Sequence, residues 1–275
     1  MTAEPAPELT IISATRHEAT NVGVLVERLS TVLEDDLRWE LLFVDDSDDE
    51  TPAVIRGLVD DGHPVRMLHR PVGSRPGGLS GALTLALNNT TSPICVVIDA
   101  DLQHPPELLP TLVDLVRDGE ADVAIASRYV TGGSSAGLDG PVRQAVSRAA
   151  VLVVKLFFAD LRAVRDPVSG FFALRREVVD ATTLRPEGFK MLVEVLVRAD
   201  WDEFAEVPYH FVGRTMGASK TSLKLGLYFL RHVLRLWLET TAPRWMSRMG
   251  KQNPAHAPGP VLTEADFTFA DQRSS

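Results

Sequence analysis

The sequence predicts an α/β fold, a mostly parallel central sheet with helices on both faces. Short apolar runs alternate with amphipathic stretches at helical spacing through the first half of the chain, the βαβα rhythm of such a sheet. The best defined of these runs, Val96-Val97-Ile98, stops abruptly at two carboxylates spaced one residue apart, Asp99 and Asp101. A chain of 275 residues with 45% hydrophobic content is also long and apolar enough for one large core.

Taken in order, Leu9–Ala14 reads as a strand and Asn21–Leu33 as a helix. Glu40–Val44 is a strand, followed by a helix over Thr51–Asp60 that Thr51 or Ser47 can cap. Val65–His69 is a strand and Leu79–Asn88 a helix whose start is rich in glycine, which lets backbone approach a ligand closely. Ile94–Ile98 is a strand, and Pro106–Arg117 a helix with prolines in its first turn, where they are tolerated. Asp122–Ala126 is a fifth strand. The second half is less regular. Thr131–Pro141, rich in glycine and serine, is a loop and a candidate flap. Helices are predicted over Arg143–Phe158, Phe189–Ala199 and Thr221–Leu238, and strands over Val168–Leu174 and Val207–Val212. The expected organisation is a flexible N-terminus over 1–8, a main α/β domain over 9–220, an amphipathic helix over 221–242 and a disordered tail over 243–275, where Pro, His, Gln, Ser and charge dominate.

A net charge of −9 and a pI of about 5.3 argue against a nucleic-acid binder, which would carry a basic footprint. The single cysteine, Cys95, lies in an apolar strand and reads as a small core residue; no intrachain disulfide can form, as suits a reducing cytosol. Met1–Glu8 has no apolar core of a signal peptide, and no run of 18 uncharged apolar residues predicts a spanning helix.

Asp99 and Asp101 fall at the carboxyl end of a strand, where open α/β sheets bind ligands. Alternate residues of an extended segment point the same way, so both can reach one cation. Oxygen ligands suit Mg²⁺ or Mn²⁺, ions that often bridge protein to phosphate. The turn Ala14-Thr15-Arg16-His17-Glu18 after the first strand is where such folds hold nucleotides, but no G-x-G-x-x-G is present, which excludes the usual dinucleotide site. Asp45 ends the second strand and can accept hydrogen bonds from a base or ribose. Arg128 follows the fifth strand directly, Arg143 and Ser147 share a helix face, and Arg214 and Lys220 bracket a turn. Arginine suits phosphate because its planar fork binds two oxygens.

The order of these motifs resembles the family-2 inverting glycosyltransferases of GT-A fold, most of all the dolichyl- or polyprenyl-phosphate mannose synthases, from about Leu9 to Leu238. The resemblance rests on Val44-Asp45-Asp46-Ser47, Asp99 to Glu107, Ser127 to Gly133, Asp166 to Phe171, Gly188-Phe189-Lys190 and Gly217-Ala218-Ser219-Lys220. It implies a metal site at Asp99, Asp101 and Gln103 and a nucleotide site at Ala14, Arg16, Glu18, Asp45, Asp46 and Gly78. Arg128, Arg143, Ser147, Arg214 and Lys220 match the positions that handle the donor diphosphate and the lipid phosphate. The implied partners are a nucleotide-sugar donor and a polyprenyl-phosphate acceptor, and the implied reaction transfers mannose from GDP-mannose with inversion. The family's usual Pro-Thr and Asn-Glu are here Ala14-Thr15 and His17-Glu18, which leaves the base open. A UDP-sugar donor and a non-catalytic sugar-nucleotide-binding subunit are the alternatives. An ionised phosphate acceptor needs no general base, so His104 is expected to be structural, while Glu194 is a candidate polar contact near the acceptor. A lipid acceptor implies a cytoplasmic protein, peripheral on the inner face of the membrane. Leu223–Leu238 mixes Leu, Tyr, Phe and Trp with basic residues and suits the interface, with a membrane-anchoring partner protein as a further candidate.

Overall fold

Strands form where apolar residues run without interruption, and helices where they recur every three or four positions. In the computed structural model, which describes residues 5–33, 37–138, 140–185, 190–213, 223–248 and 268–269, the elements follow the predicted alternation. β1 (Leu9–Thr15), α1 (Ala19–Val32), β2 (Trp39–Asp45), α2 (Thr51–Asp60), β3 (Val65–His69), α3 (Gly78–Asn88), β4 (Ile94–Val97), α4 (Leu109–Arg117) and β5 (Val123–Ser127) make the first half. α5 (Gly140–Phe157), β6 (Phe172–Arg175), α6 (Met191–Arg198), β7 (Phe204–Pro208), α7 (Leu223–Arg248) and the two-residue β8 (Thr268–Phe269) follow.

The strands form one sheet in the order β7-β5-β6-β4-β1-β2-β3-β8. β4, β1, β2 and β3 are mutually parallel, as are β5 and β7. β6 runs antiparallel between β4 and β5, and β8 antiparallel beside β3. Alternation along each strand divides the core in two. Leu41 and Phe43 pack with Val22, Leu25, Val26 and Leu29 of α1 and with α4, while Leu42 and Val44 pack with α3, α5, α6 and α7. The i, i+3, i+4, i+7 spacing in α1 places its four apolar side chains on one face, all fully buried. Burial of each is worth about 1.5–3 kcal/mol.

Three predicted boundaries move. The strand expected over Val168–Leu174 begins only at Phe172, because Asp166–Gly170 form a turn closed by Ser169 N–H to the Asp166 carbonyl at 3.2 Å. The strand expected over Val207–Val212 is β7, set earlier; Tyr209 to Val212 instead lie along the loops after β4 and β5, bonding Ser127, Ser134 and Gln103 through backbone. α7 continues ten residues past Leu238, through Pro243 to Arg248. A proline removes one helical N–H, and the turns on both sides continue here. Residues 243–248 of the expected tail are therefore helical and Thr268–Phe269 pair with β3, while the rest of that stretch lies outside the described residues. No helix among the described residues is long and apolar enough to cross a membrane.

The path from β1 through β2 to β3 steps outward on one side, and β4 returns to the other side of β1. The carboxyl ends of β1 and β4 thus flank the crevice where such sheets bind ligands.

Candidate active site

Side chains at the carboxyl edge stitch the loops after β1, β2 and β3 together. Asp45 is fully buried. Its Oδ1 accepts from Thr15 Oγ1 at 2.8 Å and Ser47 Oγ at 2.6 Å, and its Oδ2 from Ser47 N at 3.3 Å. His69 Nδ1 lies 2.7 Å from Oδ2. The neighbouring Asp46 takes a bidentate bond from the fully buried Arg70 at 2.7 and 2.6 Å. Arg70 also donates to the carbonyls of Pro76 and Gly78 at 3.1 and 2.8 Å, so Asp46 fixes the turn that opens α3. Only glycine fits at Gly81 in that turn: a Cβ would lie 2.0 Å from the Pro76 carbonyl oxygen. The β1 loop is held against the β2 loop by His17 N–H to Ser47 Oγ at 2.9 Å and Glu18 N–H to Thr51 Oγ1 at 3.0 Å. Glu18 Oε2 accepts from Asn21 Nδ2 at 2.6 Å, Ala14 is half-buried and Arg16 exposed. The expected nucleotide residues thus share one rim, with Asp45 and Asp46 bonded to neighbouring side chains.

Beyond β4, the Asp99 side chain is 43% exposed and its Oδ2 accepts from His104 Nε2 at 3.2 Å. His104 is buried against Phe171, Tyr209 and Phe211, ring centroids 5.4–5.6 Å away. The enclosed ring thus offers Asp99 its Nε2 from a buried aromatic cluster. Leu102, at φ 60, turns the chain so that Gln103 N–H reaches Asp101 Oδ1 at 3.2 Å. Gln103 Nε2 donates to the Val212 carbonyl at 2.9 Å. Gly170 lies against this group: a Cβ there would sit 2.9 Å from Asp99 Oδ2. Among the described residues no three of His, Cys, Asp and Glu are grouped to hold a metal. Two carboxylates and an amide oxygen are a hard donor set that suits Mg²⁺ or Mn²⁺ if phosphate or water oxygens complete the shell.

Past β5, Arg128 donates through Nε and Nη2 to Asp166 at 2.8 Å each, and its backbone N–H bonds the same carboxylate at 3.1 Å. Its guanidinium lies over the Tyr129 and Phe211 rings. Burial opposes the charge, but Asp166 outweighs it and raises the guanidinium above its usual range. With Nε and Nη2 committed, a phosphate is reachable through Nη1. Tyr129 Oη donates to Ser147 Oγ at 2.7 Å, tying α5, which carries the half-buried Arg143 one turn earlier, to this loop. Lys190 Nζ donates to the Val168 carbonyl at 3.0 Å. Burial first, then the nearby Arg128 cation, pushes the ammonium down to about 8. A cavity of about 150 Å³ is lined by Asp99, Arg128 and Lys190 together with Leu79, Leu83 and Leu192.

Of the residues expected at phosphates, Arg214 and Lys220 lie outside the described residues. Glu194 is fully buried and faces α7: its Oε1 accepts from Arg185 N and, at 3.2 Å, from Arg198 Nε. Burial raises its carboxyl above the ordinary range, although those donors pull the other way. It is absent from the cavity lining, and its Oε2 lies 4.0 Å from His232 Nε2 on α7. Sequence reasoning gave no role to His69, Arg70, Asp166, Gly170 or Lys190. Asp166, Gly170 and Lys190 stood in motifs already singled out; His69 and Arg70 carried only the signal of ending β3.

A family model described as Glycosyl transferase family 2 matches residues 10–183. The dolichol-phosphate mannosyltransferase of Pyrococcus furiosus is 36% identical over 83% of this chain, which spans only 63% of that protein's length. The Saccharomyces cerevisiae dolichol-phosphate mannosyltransferase is 30% identical over 84% of this chain and 87% of its own. Mycobacterium tuberculosis glucosyl-3-phosphoglycerate synthase, in a crystal structure with Mn²⁺, UDP and glucosyl-3-phosphoglycerate, superposes with a TM-score of 0.59 at 20% identity, covering 96% of this chain and 86% of the other. That last likeness is one of fold, with the same mostly parallel, helix-covered sheet. With more than half its length matched by the family model and a Pyrococcus relative above 30% identity, this chain belongs to glycosyl transferase family 2.

Proposed function

We propose that this chain transfers mannose from GDP-mannose to a polyprenyl phosphate with inversion at the anomeric carbon. The observation that carries the reading is the shared cavity, in which the carboxylate Asp99, the cations Arg128 and Lys190 and four leucines meet. Carboxylates, cations and an apolar wall together suit a reaction between a sugar diphosphate and a phosphate on a lipid. The names of the Pyrococcus and yeast relatives support the same substrates.

The chemical problem is charge. The leaving diphosphate gains negative charge while the acceptor is already an anion. Asp99, Asp101 and Gln103 are assigned to hold Mg²⁺ or Mn²⁺, which when bound supplies Lewis-acid stabilisation of the diphosphate. Arg128, Arg143 and Ser147, with Arg214 and Lys220, are assigned to the two phosphates, offsetting their repulsion and aligning the acceptor oxygen behind the anomeric carbon. Ala14, Arg16, Glu18, Asp45, Asp46 and Gly78 form or support the nucleotide rim. A phosphate oxygen attacks without losing a proton, so no base is needed, in keeping with a His104 bonded to Asp99 and a Glu194 turned toward α7. Residues 9–220 are assigned as the catalytic domain.

The acceptor places the chain at a membrane surface, on the cytoplasmic face. Exposed apolar residues on α7 (Leu227, Tyr228, Leu230, Leu234) and on α5 (Leu152, Leu156), two helices that pack together, support contact with lipid.

The test is transfer of radiolabelled sugar from GDP-mannose, UDP-glucose or UDP-N-acetylglucosamine to a polyprenyl phosphate, with Mn²⁺ or Mg²⁺ and with EDTA. Metal-dependent lipid product from GDP-mannose is expected. Product from a UDP donor alone would replace the donor, and donor binding without lipid product would replace the acceptor or leave a binding subunit.

A further inference from the structure

We infer that His69, rather than Asp45, reads the nucleobase of the donor, and that it selects bases presenting an N–H at their pairing edge. The inference rests on the donor-site reading above. A carboxylate offers about four acceptor positions. Those of Asp45 meet four donors, Thr15 Oγ1 and Ser47 Oγ on Oδ1, Ser47 N–H and His69 on Oδ2. The group is fully buried as well, so it has nothing left to offer a ligand.

His69 differs on both counts. Its side chain is 23% exposed, against 0% for Asp45. A carboxylate can only accept, so the 2.7 Å contact requires the proton on Nδ1. In the neutral ring Nε2 is then an acceptor, fixed in direction by the buried carboxylate behind it. The register Thr15–Asp45–His69 sets the ring on the carboxyl edge, level with the end of β1 and one strand across from it. A fixed acceptor at that edge matches the N1–H of guanine or the N3–H of uracil. Adenine and cytosine present a ring nitrogen lone pair at the same place, and two acceptors repel.

The test uses two amides that divide the imidazole. In His69→Asn an amide N–H can replace Nδ1–H toward Asp45 while the outer acceptor is gone. In His69→Gln a carbonyl can stand where Nε2 stood. Binding of GDP, UDP, ADP and CDP to the full chain is measured by calorimetry in Mn²⁺, with thermal melts alongside. The wild type is expected to favour GDP or UDP over ADP and CDP by about tenfold or more, the scale of one hydrogen bond plus one repulsion. His69→Asn should erase that preference without changing the melting temperature, and His69→Gln should restore part of it. A His69→Asn chain that keeps the wild-type preference would overturn the inference. So would a variant that loses all four nucleotides in step with its melting temperature, since that marks a merely structural clasp. A wild-type chain that binds none of the four overturns the donor-site reading itself, and the role of His69 with it.

Discussion

Replacing Gly170 by alanine separates metal binding from folding. The added Cβ would lie 2.9 Å from Asp99 Oδ2 and 3.3 Å from His104 Nε2. Ordinary contact begins near 3.4 Å, so the carboxylate must recede by about 0.5 Å or the ring must yield. The ring is hemmed in by Phe171, Tyr209 and Phe211, whereas the Asp99 carboxylate is the outer end of a 43% exposed side chain. The carboxylate therefore moves, at a stability cost of about 1 kcal/mol or less. Metal coordination tolerates only about 0.2 Å, so the same shift should weaken Mn²⁺ by about 10–100-fold. The assay follows sugar transfer against Mn²⁺ concentration, with a thermal melt of the same protein. The expected result is a rightward shift of the Mn²⁺ curve with a nearly unchanged melting temperature. An unshifted curve would refute the assignment of Asp99 as a ligand, and a collapsed melt would refute the claim that Asp99 is the side that yields.

Asp166→Ala leaves the buried Arg128 unpaired and should cost about 3–5 kcal/mol, read as a lower denaturation midpoint in urea; a midpoint unchanged from wild type would refute the buried-pair argument. For Lys190, a folded value of about 8 below the unfolded 10.5 means the folded chain releases the proton first. The penalty for burying this ammonium is full below pH 8 and fades toward 10.5, so wild type should gain stability relative to Lys190→Met across that window in pH-dependent melts. Leu152→Glu with Leu230→Glu should abolish co-sedimentation with anionic phospholipid vesicles while leaving nucleotide binding intact. Vesicle binding that survives both charges would move the membrane surface elsewhere.

What the sequence made legible follows from which forces are local. Buried parallel strands read as continuous apolar runs, so β1 to β5 and the helices between them stood out within three residues. The direction of β6 did not, because strand composition does not encode which way a strand runs, and its reversal depends on the Asp166–Gly170 turn. Val207–Val212 looked like a strand because Tyr209 and Phe211 are apolar; their apolarity serves the His104 ring, not a ladder. The place of Asp99 just past the end of β4 was legible from the abrupt stop of an apolar run. The residues that hold the site were less so, since their partners are distant in sequence: Arg70 reaches back 24 positions to Asp46, and Arg128 ahead 38 to Asp166.

Those pairings also bear on how an acidic chain would attract a diphosphate. Arg70, Arg75 and Arg128 line the carboxyl edge, but each is paired with Asp46, Asp48 or Asp166. A guanidinium already held by a carboxylate adds little net field, and burial keeps the Arg70 and Arg128 pairs together. Arg70 and Arg75 shape the loops more than they charge them, while Arg128 keeps Nη1 as a donor for a phosphate. Asp99 lines the cavity with a 43% exposed side chain, and its charge would repel a phosphate unless a divalent ion lay between them. Under the proposed function, a divalent ion held by Asp99, Asp101 and Gln103 would then be a condition of donor binding as well as of the chemical step.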